Sequence, residues 1–444
     1  MAVTMVRSST VVPSKLSERQ LMYLSSLDIF FSKVHYNLRV LFYEQIKASD
    51  YSQFVATLKQ SLADVLVYFY PLAGRLADDD GNRLVIDCND AGVDFREAQT
   101  GAAFSELQDA HFDFTPLFSE LAPLGHLTRC DLPDLPLLAV QVTQFLEGGV
   151  VVAISHSHIA MDGPSLWQFW VSWGECARGV PLSKPPILAR TILKPDNVSH
   201  EIAKLIPAEM KPTDITNKNS NIPLVNRVLH FDSEVMKKLK DMGIDAQNKV
   251  EGPNRRVSSL EVLFAHCWRH VTQARMLPDE QELSFIVLAD MRRGRSNMDA
   301  PPPVPENFFG NAITWTCAKA TPLILRNEPF AATLARIAKL VDDCVHPSNL
   351  QGMIHWLELF ETRSHPEPMW FSGVNINVAS SPRFPTHLVD FGWGPPTCAR
   401  PVRVGGDGEI CLFPCSSGSM DVCIKLDAYS LQRLLDDPTF MCPG

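Results

Sequence analysis

The sequence has no long apolar run and no block of a single charge. No stretch reaches the roughly 18 consecutive apolar residues that a membrane-spanning helix needs. The segment 1–15 has no apolar core like that of a secretory signal, and Cys442 stands one place too late for a prenylation box. The 40 Lys and Arg and 50 Asp and Glu leave a net charge of −10, spread along the chain. This argues against nucleic acid or an anionic membrane as the main partner, and we expect a cytoplasmic protein without membrane insertion.

The cysteines do not indicate disulfides or a zinc finger, and internal repeats are not apparent. The eleven cysteines are an odd number and lie scattered from Cys88 to Cys442, which is unlike a disulfide framework. Cys411 and Cys415 lack the second ligand pair that a zinc finger needs. No period of about 20 to 50 residues recurs, which excludes solenoids and propellers. We therefore expect reduced thiols and no metal site.

Length and hydrophobic content predict two α/β domains. A chain of 444 residues is too long for one hydrophobic core, and 45% hydrophobic with 20% charged residues is typical of a globular protein. The segment 184–224 is rich in proline and polar residues, as long crossovers are. We predict an N-terminal domain over 1–190, a crossover linker over 191–224 and a C-terminal domain over 225–444.

Hydrophobic periodicity predicts helices and strands in both halves. Apolar residues at spacings of three and four indicate helices over 51–68 and 258–276. Apolar runs on either side of the glycines at 148–149 indicate an antiparallel hairpin, and a further strand is expected over 283–290. Ser165 is expected to cap a helix that follows the hairpin. The pattern is that of mixed sheets with helices.

His158 is the first candidate for chemistry. It follows an apolar strand and lies beside a Gly-Pro turn that would let a ligand approach closely. A histidine with an ordinary pKa near 6.5 is largely neutral at cytosolic pH, so it can accept a proton as a general base. Asp162, four residues later, could orient the imidazole or turn away and pair with an arginine to lock the turn. A buried histidine without a chemical role is the plainer alternative.

A second motif, DFGWG at 390–394, favours a chemical role for His158. Together with His158 and Asp162 it resembles the BAHD acyltransferases, whose hallmarks are HxxxD near the middle and DFGWG near the C-terminus. Segments at 70–76, 177–193 and 307–311 are similar to family segments as well. A kinase is excluded because the chain has no HRD catalytic loop and no glycine-rich nucleotide loop.

The resemblance implies a fold, a reaction and partners. The expected fold is that of chloramphenicol acetyltransferase, with a channel between two α/β domains. Acyl-CoA would enter from one mouth and a small acceptor from the other, and they would meet at His158 as general base. The resemblance implies acyl-CoA as co-substrate, with no permanently bound cofactor and no metal. We expect a monomer.

The resemblance also implies roles for further residues. The motif aspartate, Asp162, would pair with an arginine, for which Arg292 is the candidate. Within DFGWG, Asp390, Gly392 and Trp393 would be structural and support the CoA side of the channel.

The CoA phosphates need local donors because the protein as a whole is acidic. Ser258 and Ser259 are predicted to begin a helix, whose free N–H groups favour phosphate, and Arg255 lies just before them. An ordinary helix cap on a solvated loop is the alternative.

The acceptor is predicted from two further positions. Arg383, seven residues before DFGWG, occupies the place of an arginine that grips an acidic acceptor in hydroxycinnamoyltransferases of this family, a bidentate contact that lysine cannot imitate. His35 begins the acceptor-side stretch HYNLRVLFY. A hydroxycinnamoyl group would then pass to the hydroxyl of a shikimate- or quinate-like acceptor of phenylpropanoid metabolism. Ser381 and Tyr36, however, depart from the pattern of the shikimate-using members.

Other functions stay open on the sequence alone. A polyamine N-hydroxycinnamoyltransferase and a fatty-alcohol or ω-hydroxy acid acyltransferase share the same motifs. A non-catalytic binding protein on this fold is a further alternative, against which the intact His158 argues. A peptide-forming condensation domain also carries histidine and aspartate at this spacing but lacks DFGWG.

Overall fold

A computed structural model describes the chain over residues 2–125, 127, 134–206, 222–249, 256–292, 304–360, 374–379, 383–415 and 418–442. In chain order the strands are β1 (Val3–Val11), β2 (Leu21–Tyr23), β3 (Asn37–Tyr43), β4 (Arg75–Asp78), β5 (Leu84–Asp87), β6 (Val93–Thr100), β7 (Leu138–Phe145), β8 (Val150–His156), β9 (Leu224–Phe231), β10 (Leu283–Asp290), β11 (Ile313–Ala320), β12 (Ile376–Val378), β13 (Cys398–Pro401), β14 (Glu409–Pro414) and β15 (Met420–Asp427). The helices are α1 (Ser26–Phe30), α2 (Tyr51–Val65), α3 (Phe104–Asp109), α4 (Gly163–Ala177), α5 (His200–Ala203), α6 (Ser233–Asn248), α7 (Ser259–Arg275), α8 (Pro322–Asn327), α9 (Phe330–Cys344), α10 (Pro347–Leu357), α11 (Ala428–Asp436) and α12 (Pro438–Met441).

The first mixed sheet comes mainly from the N-terminal half. Its strand order is β1-β6-β7-β8-β3-β13, with β6 and β7 parallel and the other neighbours antiparallel. Strand β8 is buried along its whole length, as its unbroken apolar sequence predicts for a strand covered on both faces. The edge strand β13 belongs to the C-terminal half, and its Arg400 lies opposite Val40 of β3. The domain boundaries remain a prediction. Strand β13 lies in the predicted C-terminal domain but pairs with a strand of the predicted N-terminal domain.

The second mixed sheet belongs to the C-terminal half. Its order is β11-β10-β12-β14-β15-β9, with β12 parallel to both of its neighbours and the remaining pairs antiparallel. A small antiparallel sheet, β2-β5-β4, stands apart from both. The α/β architecture predicted from the alternating helix and strand patterns is therefore present in both halves.

Helices cover these sheets with apolar faces. In the N-terminal half α2 packs against α4, and the stacked rings of Trp170 and Trp173, 5.5 Å apart, fill the core beneath them. In the C-terminal half α7 packs against α6, α9 and α11 over the second sheet. Among the described residues, no helix combines the length and the apolar character that crossing a bilayer requires.

Most of the predicted elements are confirmed, and one helix start is wrong. The strand expected over 283–290 is β10, the hairpin around 148–149 is β7 with β8, and the helix expected over 258–276 is α7. Helix α4 is capped by Asp162, whose side chain accepts a hydrogen bond from the Ser165 N–H at 3.0 Å. Ser165 therefore lies inside the first turn, because the carboxylate satisfies a free backbone N–H group that a cap must satisfy.

Candidate active site

His158 lies in the turn that joins β8 to α4. The strand ends at His156 and the helix begins at Gly163, so the residues between them are held at both ends by buried elements. The imidazole stacks on Phe31, with ring centroids 4.0 Å apart and planes inclined by 19°. His158 also lines a cavity. The ring is thus fixed in orientation and open to a ligand.

Asn311 determines which imidazole nitrogen carries the proton. The Asn311 Nδ2 group donates to the Asp28 carboxylate and to the His158 carbonyl, both at 2.9 Å. Its Oδ1 must then face His158 Nδ1, which lies 3.1 Å away. Because an amide oxygen can only accept, Nδ1 donates its hydrogen to it. The neutral ring therefore keeps its lone pair on Nε2.

A buried ion pair supports Asn311 from behind. Asp28, which is fully buried, accepts from the Asn311 backbone N–H at 2.9 Å and pairs with Arg190 at 3.0 Å. Asp28 also accepts hydrogen bonds from the Ser25 N–H and hydroxyl, at 2.9 and 2.8 Å, in the capping box of α1. Sequence reasoning missed the roles of Asn311, Asp28 and Arg190. The only available signals were the family-like segments that contain Asn311 and Arg190.

Asp162 turns away from His158 and meets Arg292. The two side chains form a bidentate pair with N–O distances of 2.9 and 3.1 Å, and both are almost fully buried. Asp162 also accepts from the Ala312 N–H at 2.9 Å, while Arg292 donates to the Phe308 carbonyl at 2.8 Å. Of the two roles that the sequence left open for Asp162, the geometry is that of a lock on the turn.

The histidines around the site are neutral at ordinary pH. Burial lowers the pKa of His158 below its usual 6.5, and the Asp162 carboxylate only partly opposes this shift. Burial also lowers the pKa of His156 well below 6.5 and, with the nearby Arg403, lowers the pKa of His35 to about 4. A neutral imidazole at position 158 can accept a proton without first losing one.

Two cavities near His158 share part of their lining. The smaller, of about 140 Å³, is lined by His158 and His35. The larger, of about 740 Å³, is lined by apolar residues of α4, α7, α9 and β10, with Lys184 and Arg383 among its polar lining. Both cavities are lined by Pro164, Trp167, Leu288, Ala289, Asp290 and Phe384. The predicted acceptor residues are thus separated, because His35 lines the small cavity and Arg383 the large one.

The predicted CoA residues lie at the start of α7. Ser258 is engaged in a capping box, where its hydroxyl accepts from the Glu261 N–H at 3.2 Å and Glu261 accepts from the Ser258 N–H at 3.0 Å. Leu260 and Phe264, on the following turns, line the large cavity. Arg255 lies outside the described residues. The helix start is therefore next to the large cavity, although its cap is satisfied internally.

The DFGWG segment forms a tight turn of its own. Asp390 accepts hydrogen bonds from the N–H groups of Gly392 and Gly394 at 2.7 and 2.8 Å, and both glycines have positive φ, 101° and 95°, which a side chain would strain. Phe391 packs against Trp173 in the core, with ring centroids 5.0 Å apart. Among the described residues, the lining of the two cavities includes none of DFGWG.

Among the described residues, one group of side chains outside the DFGWG and HxxxD motifs has metal-ligand chemistry. His230, Cys415 and Asp421 lie close enough together to hold an ion. Asp421, however, already pairs with Arg400 at 2.5 Å and with His230 at 2.6 Å. The arginine neutralises the carboxylate that a cation would need.

Comparisons with known proteins show the family of the chain. The model of the Transferase family matches residues 1–441. A hydroxycinnamoyltransferase of Narcissus pseudonarcissus is 31% identical over 98% of this chain and 99% of its own. A hydroxycinnamoyl-CoA:5-hydroxyanthranilate N-hydroxycinnamoyltransferase of Avena sativa is 30% identical over 98% of each. A shikimate O-hydroxycinnamoyltransferase of Nicotiana tabacum is 29% identical over 96% of this chain and 97% of its own.

Solved structures share the fold. Vinorine synthase superposes with a TM-score of 0.71 at 22% identity, over 99% of this chain and 97% of its own. TRI101 of F. sporotrichioides, complexed with coenzyme A and T-2, superposes with a TM-score of 0.79 at 18% identity, over 96% and 98%. The fold is that of the chloramphenicol acetyltransferase-like proteins, and the protein is an acyl-CoA-dependent acyltransferase. More narrowly, the chain belongs to the BAHD acyltransferase family.

Proposed function

We propose that this enzyme transfers a hydroxycinnamoyl group from acyl-CoA to the hydroxyl of a small acceptor, with His158 as general base. The observation that carries the proposal is the Asn311 contact, which keeps the proton on Nδ1 and leaves the Nε2 lone pair to accept a proton in a ring that lines the cavity. The names of the relatives support the acyl group, since three of them are hydroxycinnamoyltransferases. Relatives that form esters and relatives that form amides are equally similar, so an amine acceptor is the second candidate.

The reaction needs only the two substrates and one imidazole. The acceptor O–H donates its proton to His158 Nε2 as its oxygen attacks the thioester carbonyl carbon. The resulting tetrahedral oxyanion collapses, the C–S bond breaks, and the imidazolium returns the proton to the CoA thiolate. Both substrates are held together in a ternary complex, so no acyl-enzyme is required. Of the described side chains near the ring, Asn311 holds the Nδ1 proton throughout.

The large cavity suits the acyl donor. Its volume of about 740 Å³ and its apolar lining fit an aromatic acyl group with the pantetheine chain. Arg383 lines the same cavity, as does Lys184, which pairs with Glu306. The guanidinium of Arg383 can attract the phosphates of CoA. We therefore propose Arg383 for the donor side, together with Ser258, Ser259 and Arg255 from the sequence.

Replacing His158 with alanine tests the proposed base. With p-coumaroyl-CoA and a panel of shikimate, quinate, spermidine and long-chain alcohols, we expect kcat of the variant to fall by about 10²- to 10⁴-fold, as for loss of a general base. Product formation is read by mass spectrometry. The matched control is His266→Ala, which removes a buried histidine that lines neither cavity.

The wild-type pH profile gives an independent reading of the same group. Because burial lowers the pKa of His158 below the usual 6.5, its ring is protonated at lower pH than an ordinary imidazole. We expect kcat/KM to fall on the acid side with a midpoint below pH 6.5. A His158→Ala enzyme with normal turnover, or an acid limb with its midpoint at or above pH 6.5, would contradict the proposed base.

A further inference from the structure

Two arginines reach into the small cavity that His158 lines. Arg39 lies on β3 and Arg403 lies just beyond β13, so adjacent strands bring them to the same side. Each is partly buried. Arg39 donates to the Leu38 carbonyl at 3.0 Å, and Arg403 donates to the Gly125 carbonyl at 2.8 Å. These single contacts leave most of the five donors of each guanidinium unused.

Neither guanidinium forms an ion pair in the part of the chain that the structure describes. Among the described residues, no carboxylate lies within ion-pair distance of Arg39 or Arg403. Glu409 lines the same cavity without forming an ion pair with either arginine; burial raises its pKa, and the nearby Arg39 partly opposes this shift. Asp290 is already paired with Arg292 at 2.9 Å. Burial also lowers the pKa of Arg403, which is the cost of a cation held without a counter-charge.

The phosphates of CoA do not explain these arginines. Arg39 is close enough to His158 to act on its titration electrostatically, whereas the phosphates of acyl-CoA are separated from the reacting thioester by the whole pantetheine chain. The small cavity, at about 140 Å³, also has room only for a compact molecule. Before reaction the thioester end of acyl-CoA is uncharged, so a negatively charged substrate group held beside the reacting atoms belongs to the acceptor.

We propose that the small cavity is an acid-binding acceptor site, in which Arg39 and Arg403 hold the carboxylate of a hydroxy acid or amino acid. This inference rests on the proposed function and narrows its acceptor class. It assigns the acid contact to these two arginines, and Arg383 remains proposed for donor binding in the large cavity. Polyamines are disfavoured, because a cationic acceptor would meet two uncompensated guanidinium groups.

Acids and their methyl esters provide the matched test. Shikimate, quinate and 5-hydroxyanthranilate are compared with their methyl esters, which keep the nucleophile and lose the charge. We expect the wild-type enzyme to favour each acid in kcat/KM by about 10- to 100-fold, the effect of a charge-assisted hydrogen bond. Arg403→Gln and Arg39→Gln should abolish this preference through KM for the acid. Arg403→Lys should restore part of it, and Arg383→Gln should leave it intact.

Binding without turnover separates this inference from the proposed function. In calorimetry with free CoA present, His158→Ala should still bind the acids, and Arg403→Gln should not. If His158→Ala turns over normally while the acid preference depends on Arg403, only the proposed base fails. The acid site is overturned if acids and esters are used and bound equally, if the arginine variants change KM for p-coumaroyl-CoA instead, or if Arg383→Gln alone removes the preference. Thermal melting of each variant checks that its fold is intact.

Discussion

At the scale of single residues, the site depends on the side-chain amide of Asn311, whose orientation is fixed. Asn311 contacts the ring of His158 with its oxygen because its nitrogen is engaged by Asp28. Asp28 is in turn fixed by Arg190 and by the capping box of α1. The proton on Nδ1 is therefore determined by a charge that does not itself touch the imidazole, much as outer contacts orient other functional histidines.

Asn311→Ala should reduce kcat by about 100-fold, the size of effect expected when a catalytic group loses its alignment, with little change in KM for p-coumaroyl-CoA. Because the Asn311 hydrogen bond raises the pKa of His158 against the effect of burial, its loss should also move the acid limb of the kcat profile to lower pH.

The shift of the acid limb separates a positioning role from simple destabilisation. Asn349→Ala removes another buried asparagine, one that donates to the backbone carbonyls of Trp315 and Cys344. It should leave the pH profile unchanged. An Asn311→Ala enzyme that loses stability but keeps the wild-type kcat and acid limb would argue against the positioning role.

At the scale of elements, the turn between β8 and α4 is locked at its far end. Asp162 caps α4 and also binds Arg292, so one carboxylate ends the turn and ties it to the C-terminal half. Arg292 lies two residues after the end of β10 at Asp290. The position of His158 therefore depends on the contact between the halves as well as on its own strand.

Removing Arg292 should show how much the Asp162–Arg292 ion pair contributes to the stability of the protein. Arg292→Ala leaves the Asp162 carboxylate buried without its ion-pair partner, so we expect the free energy of unfolding to fall by about 3 to 5 kcal/mol. Urea unfolding followed by circular dichroism measures it. Arg326→Ala, which breaks an exposed pair with Asp279, should change little. Equal effects for the two variants would mean that the buried pair does not stabilise the turn.

At the scale of the whole molecule, the proposed donor cavity lies where the two halves meet. The large cavity takes Trp167 and Val171 from the N-terminal half and Leu260 and Val378 from the C-terminal half. A donor bound there contacts both halves at once, and strand β13 already joins them through the first sheet. Donor binding should therefore stabilise the whole chain.

Free CoA is expected to raise the thermal stability of the protein in proportion to the logarithm of its concentration. At about 100 times its Kd it should add about 2.7 kcal/mol to the free energy of unfolding. His158→Ala should keep this stabilisation, since the described lining of the large cavity does not include His158. Leu260→Asp should weaken it by placing a negative charge in the cavity. An unchanged melting temperature in saturating CoA would contradict a donor site in the large cavity.

The sequence predicted best what depends on neighbours along the chain. The strand over 283–290 and the Ser258 cap of α7 follow from local apolar pattern and capping chemistry. The Ser165 cap was wrong because Asp162, just upstream, supplied a better acceptor. Local sequence patterns identify the candidate capping residues, and the tertiary structure determines which of them caps the helix.

By itself, then, the amino-acid order determined the α/β halves, the two motifs and the family to which they belong. Only the tertiary structure decided that Asn311 orients His158 across a sequence separation of 153 residues, that Arg383 and His35 line different cavities, and that β13 joins the first sheet. The physical reason is that strand periodicity and capping act over a few residues. Hydrogen bonds, ion pairs and cavity walls instead form between segments that only the packing of the two sheets brings together.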